Sequence, residues 1–485
     1  MSRAHVLAIA AVAALTAVPV PNDAYGSDAV LERIATELRA NELKSVRYSG
    51  DGVGWTFGQA YKPGEAWPKI KLNSFTRTVN YETRAARDEV VLTRAEALGG
   101  GGYPHTGTQR NDQYVYGDFA WNQTAAGPAP GPRYVSERVH ALWITPYGII
   151  KSALRNNAKV GKGNVGETSM TTLTFTEPSR FRAVAYVDGG RVVRVESRIP
   201  DPVLGETDVV TTYSGYADFS GFAFPTRVMQ TQGGHLTLDL TVREVIPNAP
   251  ADIALPDAVR TATERVTVDK VADGVWFIAG GSHNSVAIEM KDYMILVETP
   301  LTDGRSVPVI DAVKKLVPGK PIRYVVNSHA HFDHAGGLRA AVGEGATIVT
   351  QAQNKAYLAR AFATPNTIAP DHLAKSGRKA RIVTVDEKMV LSDGARTVEL
   401  HHVADSNHTD AFLFAYLPKE RILIEADSFT PAPPNTPPPR ELNPNNTNLV
   451  DNLARLNLSV DRILPLHGRV VPASELYTAV GAKPG

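Results

Sequence analysis

Four side chains able to hold a cation fall within six residues of one another in Asn327-Ser-His329-Ala-His331-Phe-Asp333-His334-Ala-Gly-Gly337, directly after an apolar, β-branched run. His329 and His331 stand two apart at the end of what reads as an extended strand. Their imidazoles therefore project to the same side and can share one tetrahedral cation. Asp333 and His334 follow at a turn, where Gly336 and Gly337 permit tight geometry before a helix over 338–342, and these two can reach a second cation a few ångströms away. A lone His-x-His carries little weight, whereas His-x-His-x-Asp-His at a strand end has the composition and spacing of a metal site. The chain contains no cysteine. Disulfides, thiolate ligands, cysteine nucleophiles and iron–sulfur clusters are excluded, and any metal must be held by nitrogen and oxygen.

The motif resembles that of the metallo-β-lactamase superfamily, and the rest of that family's ligand set has counterparts in chain order. Asp405-Ser-Asn-His408-Thr-Asp410, before a strand over 411–416, is similar to the third ligand motif. Arg421-Ile-Leu-Ile-Glu-Ala-Asp427 is similar to the strand that delivers a bridging carboxylate, and Ile463-Leu-Pro-Leu-His467-Gly468 to the terminal strand-end histidine followed by glycine. The resemblance covers roughly residues 266–472. It implies an α/β fold of the αβ/βα sandwich type. It also implies His329, His331 and His408 on one metal, Asp333, His334 and His467 on the other, and Asp427 between them. Zinc, two Zn2+ per chain, is the default for such ligands, although iron (Fe) or manganese (Mn) accepts them too. One departure is Glu298, where the family most often has an aspartate. It is expected to support a ligand histidine from behind with a shifted backbone.

Two divalent cations about 3.5–4 Å apart would lower the pKa of a shared water to near 7 and polarise the oxygen that becomes negative during attack. Asp333 and Asp427 are then the expected catalytic carboxylates, either able to pass a proton towards the leaving group. Family members that open β-lactams usually carry cysteine or serine at the bridging position, so Asp427 looks more like lactonases, glyoxalase-type thioesterases and esterases. The resemblance thus implies a hydrolase of a carboxyl ester, lactone or thioester, with a β-lactamase as the alternative. The chain ends shortly after His467 without the further C-terminal domains of the alkylsulfatase branch, which weighs against that branch. His283 and Asn284, in Gly280-Gly-Ser-His-Asn-Ser285 of the first hairpin, are candidate substrate contacts, against a purely structural turn role for His283. His401 and His402 read as structural and His372 as exposed. The Pro-rich stretch 430–446 is expected to be stiff and either to wall the pocket or to act as a connector, with Thr447 capping a helix over 449–456.

The elements that must position these residues fall into two halves. After a helix over 28–40, alternating segments at 69–81, 89–93, 171–176, 182–186, 191–198, 226–230 and 236–245, bounded by Gly, Pro, Asn or Asp, predict an antiparallel sheet. An apolar stripe predicts a helix over 134–154 broken near Pro146, and the Gly-rich stretches 99–102 and 127–131 read as loops. Residues 213–245 resemble the end of the half-barrel domains of periplasmic lipoprotein carriers. Composition shifts to Ala, Pro and Asp at 247–256. Strands at 274–279, 285–290 and 293–298, a helix at 305–316 and a strand at 322–326 then predict an α/β domain. The expected organisation is a signal peptide at 1–26, a mainly antiparallel β domain at 27–250, a linker at 251–264 and the hydrolase domain at 265–485.

With 51 Lys and Arg against 50 Asp and Glu, a formal net charge of +1 and no basic tract, binding to nucleic acid through phosphate neutralisation is not expected. The expected partner is a small-molecule substrate. A basic start (Arg3, His5), an apolar run over 6–18 and small residues before Gly26 have the anatomy of a signal peptide, with cleavage after Gly26 or after Ala29. The run is shorter than the roughly 20 residues a span needs. A periplasmic or secreted protein with no integral membrane span after signal removal is expected, and its oligomeric state is left open. A competing reading makes the β-rich half a periplasmic carrier of an apolar ligand with a degenerate hydrolase domain. The complete ligand set weighs against it.

Overall fold

The computed structural model describes residues 24–95, 107–434, 436 and 441–482. The apolar run at 6–18 and the Gly-rich stretch at 99–102 lie outside the described residues. Between Ser45 and Pro247 the chain forms one antiparallel sheet of thirteen strands. Six of them, Ser45–Trp55 through Gly127–Pro130, make one meander, and seven, Lys159–Val165 through His235–Pro247, make another. The two join where the first strand pairs with the last, Val46 opposite Pro247. Period-two burial marks the covered face, as in Phe181–Asp188, where Phe181, Ala183, Ala185 and Val187 are buried. Leu31, Ile34 and Leu38, from and just beyond helix Ala24–Glu37, share one core with Leu142, Trp143, Tyr147 and Ile150, and with Tyr48, Phe75 and Leu240 of the sheet.

The stripe over 134–154 is two helices, Val135–Trp143 and Pro146–Arg155. Ile144 ends the first and Thr145 caps the second, its side chain accepting from Gly148 N at 3.2 Å with Pro146 in the first turn. The stretch expected to be a loop at 127–131 is mostly a short strand, Gly127–Pro130, at the edge of the sheet, where a missing proline N–H breaks no ladder.

The second half is two sheets. A seven-stranded sheet begins with Thr267–Ala272, a strand whose mixed polar sequence hid it, and a six-stranded sheet begins with Lys388–Ser392. Val275, Phe277, Val286 and Ile288 face Val398, Leu400, Phe414 and Leu423 across the interior. The alternating residues Ile278, Ala287 and Leu296 face outward onto Val309, Ile310 and Val313 of helix Asp303–Leu316 and onto Leu338. Helix Pro444–Arg455 covers the second sheet through Leu449 and Leu453. Its cap is Asn443, which accepts from Asn445 N at 3.0 Å; Thr447, the expected cap, lies inside the helix. This is the αβ/βα layering. The strands Met294–Val297, Ile322–Val326, Thr347–Gln351 and Arg381–Val385 run parallel, so their C-terminal ends open on one edge.

The halves interlock. The turn between strands Arg191–Asp201 and Gly205–Phe219 sends Val203 into the outer core of the second half, and Glu206 accepts from Thr367 N and Ile368 N. Asp201 shapes that turn, its Oδ1 accepting from Val203 N at 2.8 Å and Leu204 N at 2.7 Å. Burial pushes its carboxyl up to about 6, the two N–H donors offsetting only part of the cost. A carboxyl whose folded pKa is raised loses stabilisation as pH rises through that value. Asp201→Asn keeps the acceptor and removes the charge. The variant is expected to match the wild type at pH 4 and to exceed it at pH 8 by roughly 2–3 kcal/mol, read by thermal or urea unfolding at both pH values.

Candidate metal centre

The ligand-type side chains of the centre stand in the connections that follow strands Ile322–Val326, Thr397–His402, Ile422–Glu425 and Arg462–Pro465, on backbone the local sequence holds in place. Strand Met294–Val297 ends in Glu298 at φ 66, and strand Ile322–Val326 runs into Asn327, whose amide donates to His329 O at 2.6 Å. Ser328 N donates to Glu298 Oε1 at 2.6 Å, tying the two strand ends together. Past His331 the chain turns through the short helix Phe332–Ala335, and the glycines that follow are set by close approach. A Cβ on Gly336 would lie 1.7 Å from Leu301 O and one on Gly337 1.9 Å from Ser306 Oγ. After strand Ile422–Glu425, Asp427 sits at φ 53 in a turn pinned by Glu425 Oε2, which accepts from Ser428 N and Phe429 N at 3.1 Å each.

These elements bring His329, His331, Asp333, His334, His408, Asp427 and His467 into one cluster, with ligand atoms in two groups. His329, His331, His408 and Asp427 form one, and Asp333, His334 and His467, joined by His283, form the other; within each the atoms lie within 4.8 Å of one another. Asp427 lies between the groups. Its Oδ2 is 3.3 Å from His329 Nε2, 3.1 Å from His408 Nε2 and 2.9 Å from His334 Nε2, and its Oδ1 is 2.9 Å from His467 Nε2. His329 Nε2 and His408 Nε2 are 3.2 Å apart, His334 Nε2 and His467 Nε2 3.1 Å. Asp333 Oδ2 lies 3.8 Å from His334 Nε2.

The proton inventory of these rings suits a cation. His467 Nδ1 donates to Ser282 O at 3.3 Å and His334 Nδ1 faces Glu298 Oε2 at 3.4 Å, and both oxygens only accept. With both rings neutral, as a bound cation would keep them, their Nε2 atoms carry lone pairs that point at each other and at a carboxylate. Such a convergence is stable only with positive charge at its centre. His331 Nε2 donates to Ala60 O at 3.1 Å, which leaves its Nδ1 buried without a partner among the described residues. His408 Nδ1 is likewise buried and unpartnered, with Nε2 aimed at the cluster. The donor set fits divalent metal.

Electrostatics agree with the geometry. Burial holds His329 down to about 3 and His331 well below the usual histidine range, so both rings are neutral, the form that ligates. For His334 burial works against charge, but Asp427 and Asp333 outweigh it and hold the ring's pKa well above the ordinary value, so without a cation a proton on this ring supplies the positive charge that the centre demands. The same pairings, against burial, keep Asp427 and Asp333 well below the carboxylate range. Side chains of His329 and His334 are at most 1% exposed, whereas Asp333 is 23%, His467 20% and Asp427 12% exposed. Solvent therefore reaches the cluster on the side of Asp333 and His467.

Several residues sit elsewhere than the sequence suggested. Asn284, a candidate substrate contact, is 3% exposed, its amide donating to Pro465 O at 3.2 Å and Gly468 O at 2.8 Å. It locks the first hairpin to the terminal ligand turn and is not free to meet substrate. His283, the other candidate, is buried inside the cluster with Nε2 3.2 Å from Asp333 Oδ2, and burial lowers its pKa to about 4. His372, expected to be exposed, is half-buried against Glu344 Oε1 at 2.8 Å. His401 pairs with Glu399 and His402 with Asp410 O, both outside the cluster. Glu298 stands behind His334, as its position suggested. At the start of the Pro-rich stretch, Pro431 lies against Gly468 and Ala432 O accepts from Arg469. Sequence reasoning missed Gln59, whose Nε2 donates to Asp333 Oδ1 at 2.8 Å, and Ala60, because nothing local marks a contact spanning 274 or 271 residues.

Residues 278–467 match the sequence model of the metallo-beta-lactamase superfamily. An alkyl/aryl-sulfatase of Saccharomyces cerevisiae is 29% identical over 101 residues, and the match spans 20% of this chain and only 16% of that protein. Among solved structures, a metallo-β-lactamase from Pontibacter korlensis shares 18% identity over 44% of this chain and 98% of its own, with a TM-score of 0.35. The rubredoxin:oxygen oxidoreductase of Desulfovibrio gigas shares 17% over 44% of this chain and 60% of its own, also with a TM-score of 0.35.

His408 supplies the only imidazole of its motif to the first group. His408→Ala is expected to lower metal content after dialysis and to weaken metal retention by at least tenfold, read by elemental analysis and chelator competition. Unchanged metal content would remove His408 from the ligand set.

Proposed function

Residues 278–467 belong to the metallo-β-lactamase superfamily, and from that premise we propose that the chain is an exported dinuclear zinc hydrolase of a carboxyl ester, lactone or thioester. The observation that carries the reading is Asp427, whose two oxygens lie within 3.3 Å of imidazole nitrogens from both groups. A carboxylate so placed would help to hold a cation in each group. Bound metal would supply a water nucleophile at neutral pH and polarise the substrate's carbonyl oxygen. The protein's own part is positional. Buried, neutral His329 and His331 fix one side of the centre, and Glu298 keeps the His334 ring oriented. Asp333, ionised and the more open of the two acids, is placed to take a proton from the attacking water and deliver it to the leaving alkoxide or thiolate.

Aspartate at 427, in place of cysteine or serine, favours esters, lactones and thioesters over β-lactams. The identity with the sulfatase of S. cerevisiae supports a second reading, a sulfate ester, on the same centre. Export, and a periplasmic or secreted location, are supported by the basic, apolar and small-residue succession before Gly26. Among the described residues no helix is long and apolar enough to cross a membrane.

The test is turnover by the purified full chain of an aryl ester, a lactone, a thioester, an aryl sulfate and a chromogenic cephalosporin, before and after removal of metal by a chelator. Hydrolysis of one of the first three, lost on chelation and restored by zinc, is expected. Turnover of only the sulfate or the cephalosporin would contradict the proposed substrate class. Turnover indifferent to chelation would contradict a metal mechanism.

A further inference from the structure

The loop between strands Ser45–Trp55 and Lys69–Asn80 belongs to the N-terminal half, yet it lies against the metal centre of the other half. Two of its polar groups touch ligand-type side chains directly. Ala60 O accepts from His331 Nε2 at 3.1 Å, and Gln59 Nε2 donates to Asp333 Oδ1 at 2.8 Å. A carbonyl can only accept, so the His331 proton is fixed on Nε2 and the lone pair on the buried, unpartnered Nδ1. Gln59 occupies one oxygen of Asp333 and leaves Oδ2 turned towards His334 and His283.

The loop is fastened well enough to impose these orientations. Phe57 and Trp67 meet Phe332 edge-on at 5.1 and 5.7 Å. Phe332 N donates to Gly58 O at 3.1 Å, and Gly58 lies at φ +82, where a Cβ would come within 2.5 Å of the Phe332 ring. Next along the loop, Tyr61 grips the segment around His408. Its hydroxyl donates to Ser406 O at 2.8 Å, and its carbonyl accepts from Thr409 Oγ1 at 2.9 Å and Asp410 N at 3.0 Å. The loop thus joins the first and third ligand motifs. Docking alone would be served by the distant contact of Glu206 with Thr367 and Ile368 and needs no hydrogen bond to a ligand.

We propose that Gln59 and Ala60 are positioning residues of the metal centre, supplied by the N-terminal half, with Gln59 setting Asp333 in the second group and Ala60 setting His331 in the first. The proposal rests on the reading of the cluster as a metal site, and the experiment separates the two. Zinc affinity of the full chain is measured by competition with a chromophoric chelator for the wild type, Gln59→Leu, Gly58→Ala and, as a remote contact between the halves, Glu206→Gln. Unfolding of each protein stripped of metal is followed in parallel.

Gln59→Leu keeps the side chain's size and removes its donor. It is expected to weaken one of two zinc ions by about 10- to 100-fold, with little change in unfolding of the stripped protein. Gly58→Ala, which pushes the loop from Phe332, is expected to weaken both ions, and Glu206→Gln neither. A wild type that binds no metal would overturn the reading of the site itself. A wild type that binds two ions while Gln59→Leu retains both at full affinity would overturn the positioning role. So would equal weakening by Gln59→Leu and Glu206→Gln, since that is what mere docking predicts.

Discussion

A carboxylate set among four imidazole nitrogens at 2.9–3.3 Å, only 12% exposed to solvent, is the constraint on which the site depends. Water cannot fully solvate the Asp427 charge there, and the lone pairs facing it need positive charge among them. The backbone is bent to put the group in place. Asp427 takes a left-handed conformation, and Glu425 beneath it clamps the turn. Burial pushes the Glu425 carboxyl up to about 8, aided by the neighbouring Asp427 charge and opposed by its two N–H donors. Glu298, another left-handed residue at a strand end, repeats the arrangement behind His334. Strain and buried charge gather where one edge of the sheets must converge on a point, and the apolar interior of the two sheets holds that edge rigid.

The large antiparallel sheet ahead of this domain has its own core, yet it is not an appendage joined by a flexible link. Its turns enter the second half. Near Val203 and Glu206 the contact is apolar packing together with backbone capping. At residues 57–61 it reaches the ligands. The second contact gives a physical reason for the two halves to share one chain, because the tautomer of His331 and the orientation of Asp333 depend on atoms outside the sandwich.

Legibility in the sequence followed the range of the interactions. The cluster at 329–334 was readable because strand end, turn and glycines lie within one short segment, and His408, Asp427 and His467 through resemblance to a known family. An α/β domain was legible from its apolar strands and the sandwich through the same resemblance, but strand Thr267–Ala272 was not, being half exposed and polar in composition. Gly127–Pro130 misled because Gly and Pro signal turns everywhere except at a sheet edge. Asn284 and His283 are adjacent in sequence and have opposite fates, one bonded to backbone and the other to Asp333, a difference fixed by tertiary packing. Gln59 and Ala60 carry no local pattern, and only folding of both halves brings them to the ligands.

The most direct test of a dinuclear centre completed by both halves is anomalous diffraction at the zinc edge from crystals of the full chain grown with zinc. The account predicts two peaks about 3.5–4 Å apart with Asp427 between them. One would be bound by His329, His408 and the Nδ1 atom of His331, the other by Asp333, His334 and His467, with Gln59 still on Asp333. A single peak, or a second ion held by His283 without Asp427, would contradict it.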